Sequence, residues 1–388
     1  MIKRCCPVCM GEETKKVFHR DFGGMESIVP FSGYDVVQCT RCGAFYADNI
    51  GEAMPLMHYY EMMSKYETEA FSVSREALAE YAFAIGFLRR HIAPEQSIID
   101  IGCGNGAMLH MLQEQGFRHL TGLEPSEKNC RSITERWGIR AIQGQLGGTD
   151  SSFDPHEKFD IVLMEGVLEH LIDVQGNVRE ALSYLKKDGA LYLNVPDLAA
   201  FPDCHDLYQQ FSVEHVNFFS LPSMQNLMGA FGMTCVAYDR NGYGVFTLWR
   251  HASEGIPACT FDQAGTADMR TYLARAEQLA AQMKARLAPY CGREVYVWAA
   301  GTHTAMLYQL GLLDGIQVRA IIDSNANYQG KAIYGVPVIA PQEVAARDPL
   351  PIIISSQLAQ DAIYIQITER MKLTNEVIRL YKKYIEEL

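Results

Sequence analysis

The apolar positions of the chain change period several times along its length. From 97 to about 250 short apolar runs alternate with amphipathic stretches. Ser97-Ile98-Ile99-Asp100, Leu120-Thr121-Gly122-Leu123-Glu124, Phe159-Asp160-Ile161-Val162-Leu163-Met164 and Ala190-Leu191-Tyr192-Leu193-Asn194-Val195 read as strands, the last preceded by a turn at Lys187-Asp188-Gly189. Met108-Leu109-His110-Met111-Leu112 begins a helix between the first two. Strands alternating with helices predict a parallel sheet covered on both faces. Cys235–Tyr238 and Val245–Trp249 flank Asn241-Gly242, which predicts an antiparallel pair joined by a tight turn at the sheet edge.

Before this stretch, Ala77, Leu78, Tyr81, Ala84, Ile85 and Leu88 recur at three- and four-residue spacing and predict a helix. Residues 1–50 show little helical periodicity, with one strand-like run at Asp35–Cys39. After it, Met269, Leu273, Ala276, Leu279, Ala280, Met283 and Leu287 share one face of a long helix predicted from about 266 to 288. A second alternation follows, with strands at Val295–Trp298, Val318–Asp323 and Pro351–Ser355 and a helix from Ala305 to Leu313. The pattern divides the chain into an N-terminal segment (1–50), a helical connector or substrate lid (51–95), a central α/β domain (96–252), a linker helix (253–289) and a smaller C-terminal α/β domain (290–388).

Composition narrows the function classes. With 388 residues, 48% hydrophobic and 21% charged, the chain has material for more than one globular core. No apolar run approaches the roughly 18 residues of a membrane span, and the cytoplasm is the expected compartment. The formal net charge of −12 argues against a nucleic-acid partner, whose phosphates call for a basic face, and favours a small-molecule substrate.

Chemistry concentrates at two places. The first is the glycine-rich turn Asp100-Ile101-Gly102-Cys103-Gly104-Asn105-Gly106 between the first central strand and its helix. Such a turn lets backbone approach a ligand closely and aims helix N–H groups at it, but dinucleotide-binding folds use similar turns. Asp100 sits just before the first glycine, and Glu124 ends the next strand, placed to accept both hydroxyls of a ribose. The second place holds two Cys-x-x-Cys knuckles, Cys6/Cys9 and Cys39/Cys42, with Cys5 an alternative to Cys6. Four thiolates at this spacing suit a tetrahedral, structural Zn²⁺ with no open coordination position.

The central stretch resembles class I S-adenosylmethionine (SAM) dependent methyltransferases over roughly 97–250. The resemblance is carried by the glycine turn, Leu123-Glu124-Pro125, Phe159–Val162, Val167-Leu168-Glu169-His170-Leu171 and Leu185-Lys186-Lys187-Asp188-Gly189. It implies a seven-stranded Rossmann-like sheet and a SAM site drawn from Asp100, Gly102, Gly104, Asn105, Gly106 and Glu124. Asp100 would meet the SAM ammonium, and Met164 and Glu165 would line the methionine side. Where that family often has Gly-Asp at the end of the third strand, this chain has Gly144-Gln145, so Gln145 or backbone would take the adenine amine.

The whole arrangement, a Cys₄ segment, a central SAM domain and a C-terminal Rossmann-like domain, resembles the deoxysugar C-methyltransferase family. The most distinctive local match is Phe211-Ser212-Val213-Glu214-His215-Val216-Asn217-Phe218-Phe219-Ser220. That resemblance implies a nucleotide-linked keto-sugar as acceptor, methylated on carbon through an enolate. His215 would be the base, Glu214 would orient or polarise, His170 would bind the enolate or sugar, and Tyr66 would contact substrate, with Tyr59 and Tyr60 as weaker choices. Gly301-Thr302-His303-Thr304 with Asp323 could cradle a diphosphate and ribose, or the C-terminal unit could serve for packing alone. Two other acceptors fit the same donor site: a hydroxyl or amine of a sugar or small metabolite, and RNA.

Overall fold

The computed structural model describes residues 1–25, 29–52, 74–148, 154, 156–253, 255 and 258–381. Three sheets organise them. The central one is seven-stranded, ordered β10-β11-β8-β7-β4-β5-β6, where β4 is Ile98–Ile101, β5 Leu120–Glu124, β6 Arg140–Gln143, β7 Phe159–Glu165, β8 Leu185–Pro196, β10 Met233–Arg240 and β11 Gly244–His251. β11 runs antiparallel to both of its neighbours, and the other neighbouring pairs are parallel. The α/β class and the seven-stranded methyltransferase sheet implied by the sequence are thus observed. β4 and β7 lie side by side where the strand order reverses, the position at which open α/β sheets bind ligands beyond their carboxyl ends.

Burial explains the strand pattern. All four residues of β4 and all five of β5 are buried, as expected for strands covered on both faces, whereas the edge strand β10 alternates buried or half-buried with exposed positions. Two turns differ from the sequence reading. Lys187-Asp188-Gly189 lies inside β8, which starts at Leu185, with a register shift against β7 between Phe159 and Ile161. Here a bulge accommodates residues that read as a separate turn. The β10–β11 connection is longer than Asn241-Gly242: Arg240 pairs with Val245, and the Asn241 side chain accepts from the N–H groups of Tyr243 and Gly244.

The N-terminal segment forms β1 (Thr14–Asp21), β2 (Phe31–Cys39) and β3 (Phe45–Glu52), an antiparallel sheet whose fourth strand, β9 (Asn217–Phe218), comes from far downstream. The C-terminal sheet is ordered β14-β15-β13-β12-β16-β17, built from Glu294–Trp298 (β12), Gln317–Ile322 (β13), Ala332–Ile333 (β14), Val336–Ile339 (β15), Ile352–Ile354 (β16) and Val377–Arg379 (β17). A 25-residue helix, Gln263–Leu287, leads into it, with Met269, Ala276, Met283 and Leu287 buried. These four side chains join one apolar cluster with Phe31, Tyr34 and Phe211 on one side and Val295, Val297 and Ile321 on the other. No helix among the described residues is long and apolar enough to cross a membrane.

Candidate functional site

The glycine turn takes the conformation its sequence requires. Gly102, Gly104 and Gly106 have φ of 72°, 56° and 77°, in the left-handed region that a side chain strains. A Cβ on Gly106 would also lie 2.6 Å from Ile133. Gly106 caps the helix Ala107–Glu114, which brings that helix's first N–H groups to the carboxyl end of β4.

Around this turn the acids are buried. Asp100 is 2% exposed, its Oδ1 has no hydrogen-bond partner among the described residues, and burial holds its carboxyl well above the usual range, with Glu165 and Glu124 adding to the shift. Glu124 Oε2 accepts from Gly104 N–H (3.0 Å) and Oε1 from Ser126 N–H (3.1 Å), so this carboxylate braces the turn directly. Glu165, at the end of β7, accepts from Tyr192 OH (2.5 Å) and from Asn194 Nδ2 (2.7 Å), and the same amide nitrogen donates to Glu80 Oε1 (3.1 Å). Burial pushes Glu165 up to about 7, although these two hydrogen bonds pull the other way. Met164 is fully buried in the core beside Ile99 and Leu193. Gln145 follows β6 by two residues, and Asn105 Oδ1 accepts from Ala107 N–H (3.1 Å).

This cradle can be tested against a cationic amino-acid ligand. An acid that is buried, flanked by further acids and short of a hydrogen-bond donor is stabilised by an incoming ammonium. Asp100 therefore fits the ammonium of SAM.

The acceptor side is assembled from separate pieces of chain. A single 3₁₀ turn, Leu168–His170, follows β7 and carries Glu169 and His170, and the segment Ser212–Asn217 carries Glu214 and His215. The structure brings both histidines together: their rings meet edge-on with centroids 4.8 Å apart, and both are half-buried. His170 Nδ1 lies 3.1 Å from the Glu214 backbone oxygen. A carbonyl only accepts, so Nδ1 carries the proton. On the other side of the ring, His170 Nε2 lies 3.9 Å from Glu169 Oε1.

Glu169 itself stands out less in the sequence than in the structure. It is 4% exposed, Oε2 has no hydrogen-bond partner among the described residues, and burial pushes it up to about 8, with Glu165 and Glu80 adding to the effect. One ligand atom each from Glu169, His170 and His215 falls within a mutual 4.8 Å. The backbone N–H groups of Glu214 and His215 donate to Ser212 Oγ (3.3 and 3.0 Å), which fixes the loop between them. Tyr66, Tyr59 and Tyr60 lie outside the described residues.

The four cysteines of the two knuckles converge as the spacing predicts. Cys6 Sγ and Cys42 Sγ are 3.5 Å apart, Cys9 Sγ and Cys39 Sγ are 3.5 Å apart, and the four sulfurs lie within 4.8 Å of one another. A tetrahedron with Zn–S of about 2.3 Å requires sulfurs about 3.8 Å apart, so the set could hold such an ion. Cys5 is exposed and outside the cluster.

The C-terminal turn at Gly301 opens the helix Thr302–Gln309. His303 is buried, with Nδ1 2.9 Å from Ser355 Oγ and Nε2 2.6 Å from Tyr381 OH, and burial lowers it to about 3. Asp323 accepts from Ala300 N–H (2.7 Å) and Asn325 N–H (2.8 Å). The His303 ring and the Asp323 carboxylate thus have partners inside their own domain. Burial raises the Tyr328 phenol, with the charges of Asp323 and Glu214 adding to the shift.

Sequence reasoning missed the residues that hold the acceptor side in place. Arg4, Arg20 and Tyr34 belong to no motif, and Asn217 sits inside the Phe211–Ser220 match without a role of its own; their partners lie up to 289 positions away, the separation of the Arg20–Gln309 pair.

Comparison with known proteins gives a consistent result. A family model described as a methyltransferase domain matches residues 66–238. The "Probable (S)-tetrahydroprotoberberine N-methyltransferase 2" of Papaver bracteatum is 26% identical over 166 residues, 42% of this chain and 42% of that protein. A "Ubiquinone biosynthesis O-methyltransferase" of Bradyrhizobium diazoefficiens is 26% identical over 165 residues, 41% of this chain and 60% of that protein. The chain thus spans less than two thirds of either relative. A crystal structure of the Burkholderia thailandensis 1,6-didemethyltoxoflavin-N1-methyltransferase with bound S-adenosylhomocysteine matches at 18% identity and a TM-score of 0.40, over 54% of this chain and 96% of that one.

Proposed function

From a chain that carries a class I SAM-dependent methyltransferase domain, we propose an enzyme that transfers the methyl of SAM to a carbon of a small keto-substrate, a nucleotide-linked deoxysugar by its family resemblance. The observation that carries the reading is the acid–base group of His170, His215 and Glu169 beside the end of β7, next to the cradle that fits SAM. An alkyl carbon beside a carbonyl becomes a nucleophile by losing a proton, and a paired imidazole site supplies both a base and a hydrogen-bond donor.

In this proposal Asp100 holds the SAM ammonium, Glu124 the ribose hydroxyls, Gly102, Gly104, Asn105 and Gly106 the backbone approach, Gln145 the adenine and Met164 with Glu165 the methionine side. Bound SAM supplies a methyl group on a sulfonium sulfur. His215 removes the proton from the substrate carbon, and the electron pair moves onto the carbonyl oxygen as an enolate. His170, with Nδ1–H anchored on the Glu214 carbonyl, turns Nε2 toward that oxygen, and the neighbouring Glu169, kept in its acid form by burial, supplies the proton with which Nε2 donates to the enolate oxygen. The new carbon–carbon bond forms as the sulfur–methyl bond breaks, its electron pair staying on sulfur, and the proton remains on His215. Tyr66 is assigned to substrate. Cys6, Cys9, Cys39 and Cys42 hold a structural Zn²⁺, and the C-terminal unit serves the substrate side through the Gly301–Thr304 turn and Asp323, or serves for packing alone.

The test is incubation with methyl-labelled SAM and a panel of nucleotide keto-sugars in deuterated water. Label on carbon, with solvent exchange at that carbon in the absence of SAM, is the expected result, and label on oxygen or nitrogen alone overturns it. A hydroxyl or amine acceptor is the second reading, favoured by the N- and O-methyltransferase names of the matched relatives. The same base serves either.

A further inference from the structure

The N-terminal cysteine segment and the two histidines are joined by one side chain. Arg4 stands two residues before the first sulfur ligand and is 8% exposed. Its guanidinium donates to acceptors from three different parts of the chain. Nη1 bonds the backbone oxygens of Ala47 (3.0 Å) and Val216 (3.0 Å). Nη2 bonds the backbone oxygens of Leu171 (3.3 Å) and Ile172 (2.9 Å) and the side-chain oxygen of Asn217 (2.7 Å). Leu171 immediately follows His170, and Val216 immediately follows His215.

Asn217 completes the clamp. Its Oδ1 takes one Arg4 bond, while Nδ2 donates to the backbone oxygens of Leu168 (3.1 Å), Glu169 (3.3 Å) and Leu171 (2.8 Å). The Val216 N–H adds a bond to the Glu169 oxygen (2.9 Å). Arg4 is in turn fixed at its own backbone, where its N–H donates to Asp48 Oδ1 (2.7 Å) on β3. Other N-terminal side chains hold the same downstream loop: Arg20 Nε bonds Phe211 O (3.1 Å) and Tyr34 OH bonds Ser212 O (2.7 Å).

We propose that Arg4 is a positioning residue through which the N-terminal segment sets the distance between His170 and His215. The inference rests on the acceptor-side reading above. A planar guanidinium with five N–H donors is suited to this, because it can bond several fixed carbonyls at once, which an ammonium on a flexible stem cannot do with one geometry. The four-cysteine cluster then has a function beyond folding its own segment: it anchors the chain end that carries the clamp.

The test uses the full chain with Arg4→Gln and, independently, Asn217→Ala, which loosens the same junction from the other side. Hydrogen exchange read by mass spectrometry is the first measurement. Segments 167–172 and 212–217 exchange about tenfold faster in each variant, while segment 98–106 keeps its protection and SAM affinity stays within about twofold. In the same variants kcat for methyl transfer falls about a hundredfold with the KM for SAM unchanged. Unaltered exchange in the two histidine segments overturns the proposal, as does equal loss of protection in 98–106, which would make Arg4 a general support of the fold. Selective loosening in a protein that methylates no keto-sugar leaves the clamp standing and overturns the substrate reading instead.

Discussion

The glycine cradle and the histidine pair lie at the same end of one sheet and are built in opposite ways. The cradle comes from one continuous stretch: strand, turn, helix and next strand supply Asp100, three left-handed glycines and Glu124, and Glu124 braces Gly104 within that stretch. The histidine pair is drawn from two loops, bridged by the His170–Glu214 bond between residues 44 apart, and is held by Arg4, Arg20 and Tyr34 from a third segment. A locally built site owes its geometry to backbone conformation, whereas a composite site owes it to hydrogen bonds between segments. The two should therefore fail separately.

The largest effect is expected on the composite side. His215→Asn removes the proposed base with little change in size, and kcat should fall about 10²- to 10⁴-fold. Binding of SAM, measured by calorimetry, should be unchanged; a loss of SAM binding would show that the two halves are not independent. Chelating the Zn²⁺ proposed at the four cysteines should come next: methyl transfer is lost, and the N-terminal sheet loses its protection from exchange, while SAM still binds to the cradle. The converse experiment breaks the local side. In Gly106→Val a side chain meets Ile133 at a φ of 77°, and strain of about 2–3 kcal/mol should weaken SAM binding about a hundredfold while the exchange protection of 212–217 remains.

A smaller effect concerns pH. Burial raises Glu165 to about 7 and Glu169 to about 8 from an ordinary 4.5, so the folded protein holds protons that the unfolded chain releases. The stability these carboxyls contribute is present below pH 4.5 and is lost as pH rises through 7 and 8. Glu169→Gln should flatten the fall of Tm between pH 4.5 and 8, and an unchanged slope would show that Glu169 is not the group responsible. Least of all should follow from Arg140→Ala, which removes an exposed pair with Glu157 at the sheet edge; its cost should be about 0.2–1 kcal/mol, with neither half of the site affected.

The same contrast explains what could be read from the sequence. Strand positions, the glycine turn and the long helix 263–287 follow from local rules of periodicity and backbone freedom, and the structure shows them close to where the pattern placed them. The two Cys-x-x-Cys knuckles were legible because tetrahedral coordination demands that spacing, and the four sulfurs do converge. The pairing of His170 with His215 followed from resemblance, since no spacing rule links a turn after β7 to a loop before β9. Arg4 could not be found in this way at all, and Asn217 stood inside the Phe211–Ser220 match with no role attached. Arg4 is marked only by its burial and by partners far along the chain. His303 and Asp323 have partners that no pattern announced: His303 bonds Ser355 and Tyr381, and Asp323 braces Ala300 much as Glu124 braces Gly104.

The pairing of β3 with β9 sets an order on how the molecule comes into being. Phe45 lies against Phe218, and Arg4 grips an oxygen 212 residues further along, so the N-terminal sheet must wait for its last strand as the chain leaves the ribosome. The cradle closes within a few dozen residues of Asp100 and has no such wait. Contacts that distant form slowly, because a long loop must close before they repay its entropy. A nascent chain paused near residue 200 would already be able to hold its donor, yet it would have no place to spend it.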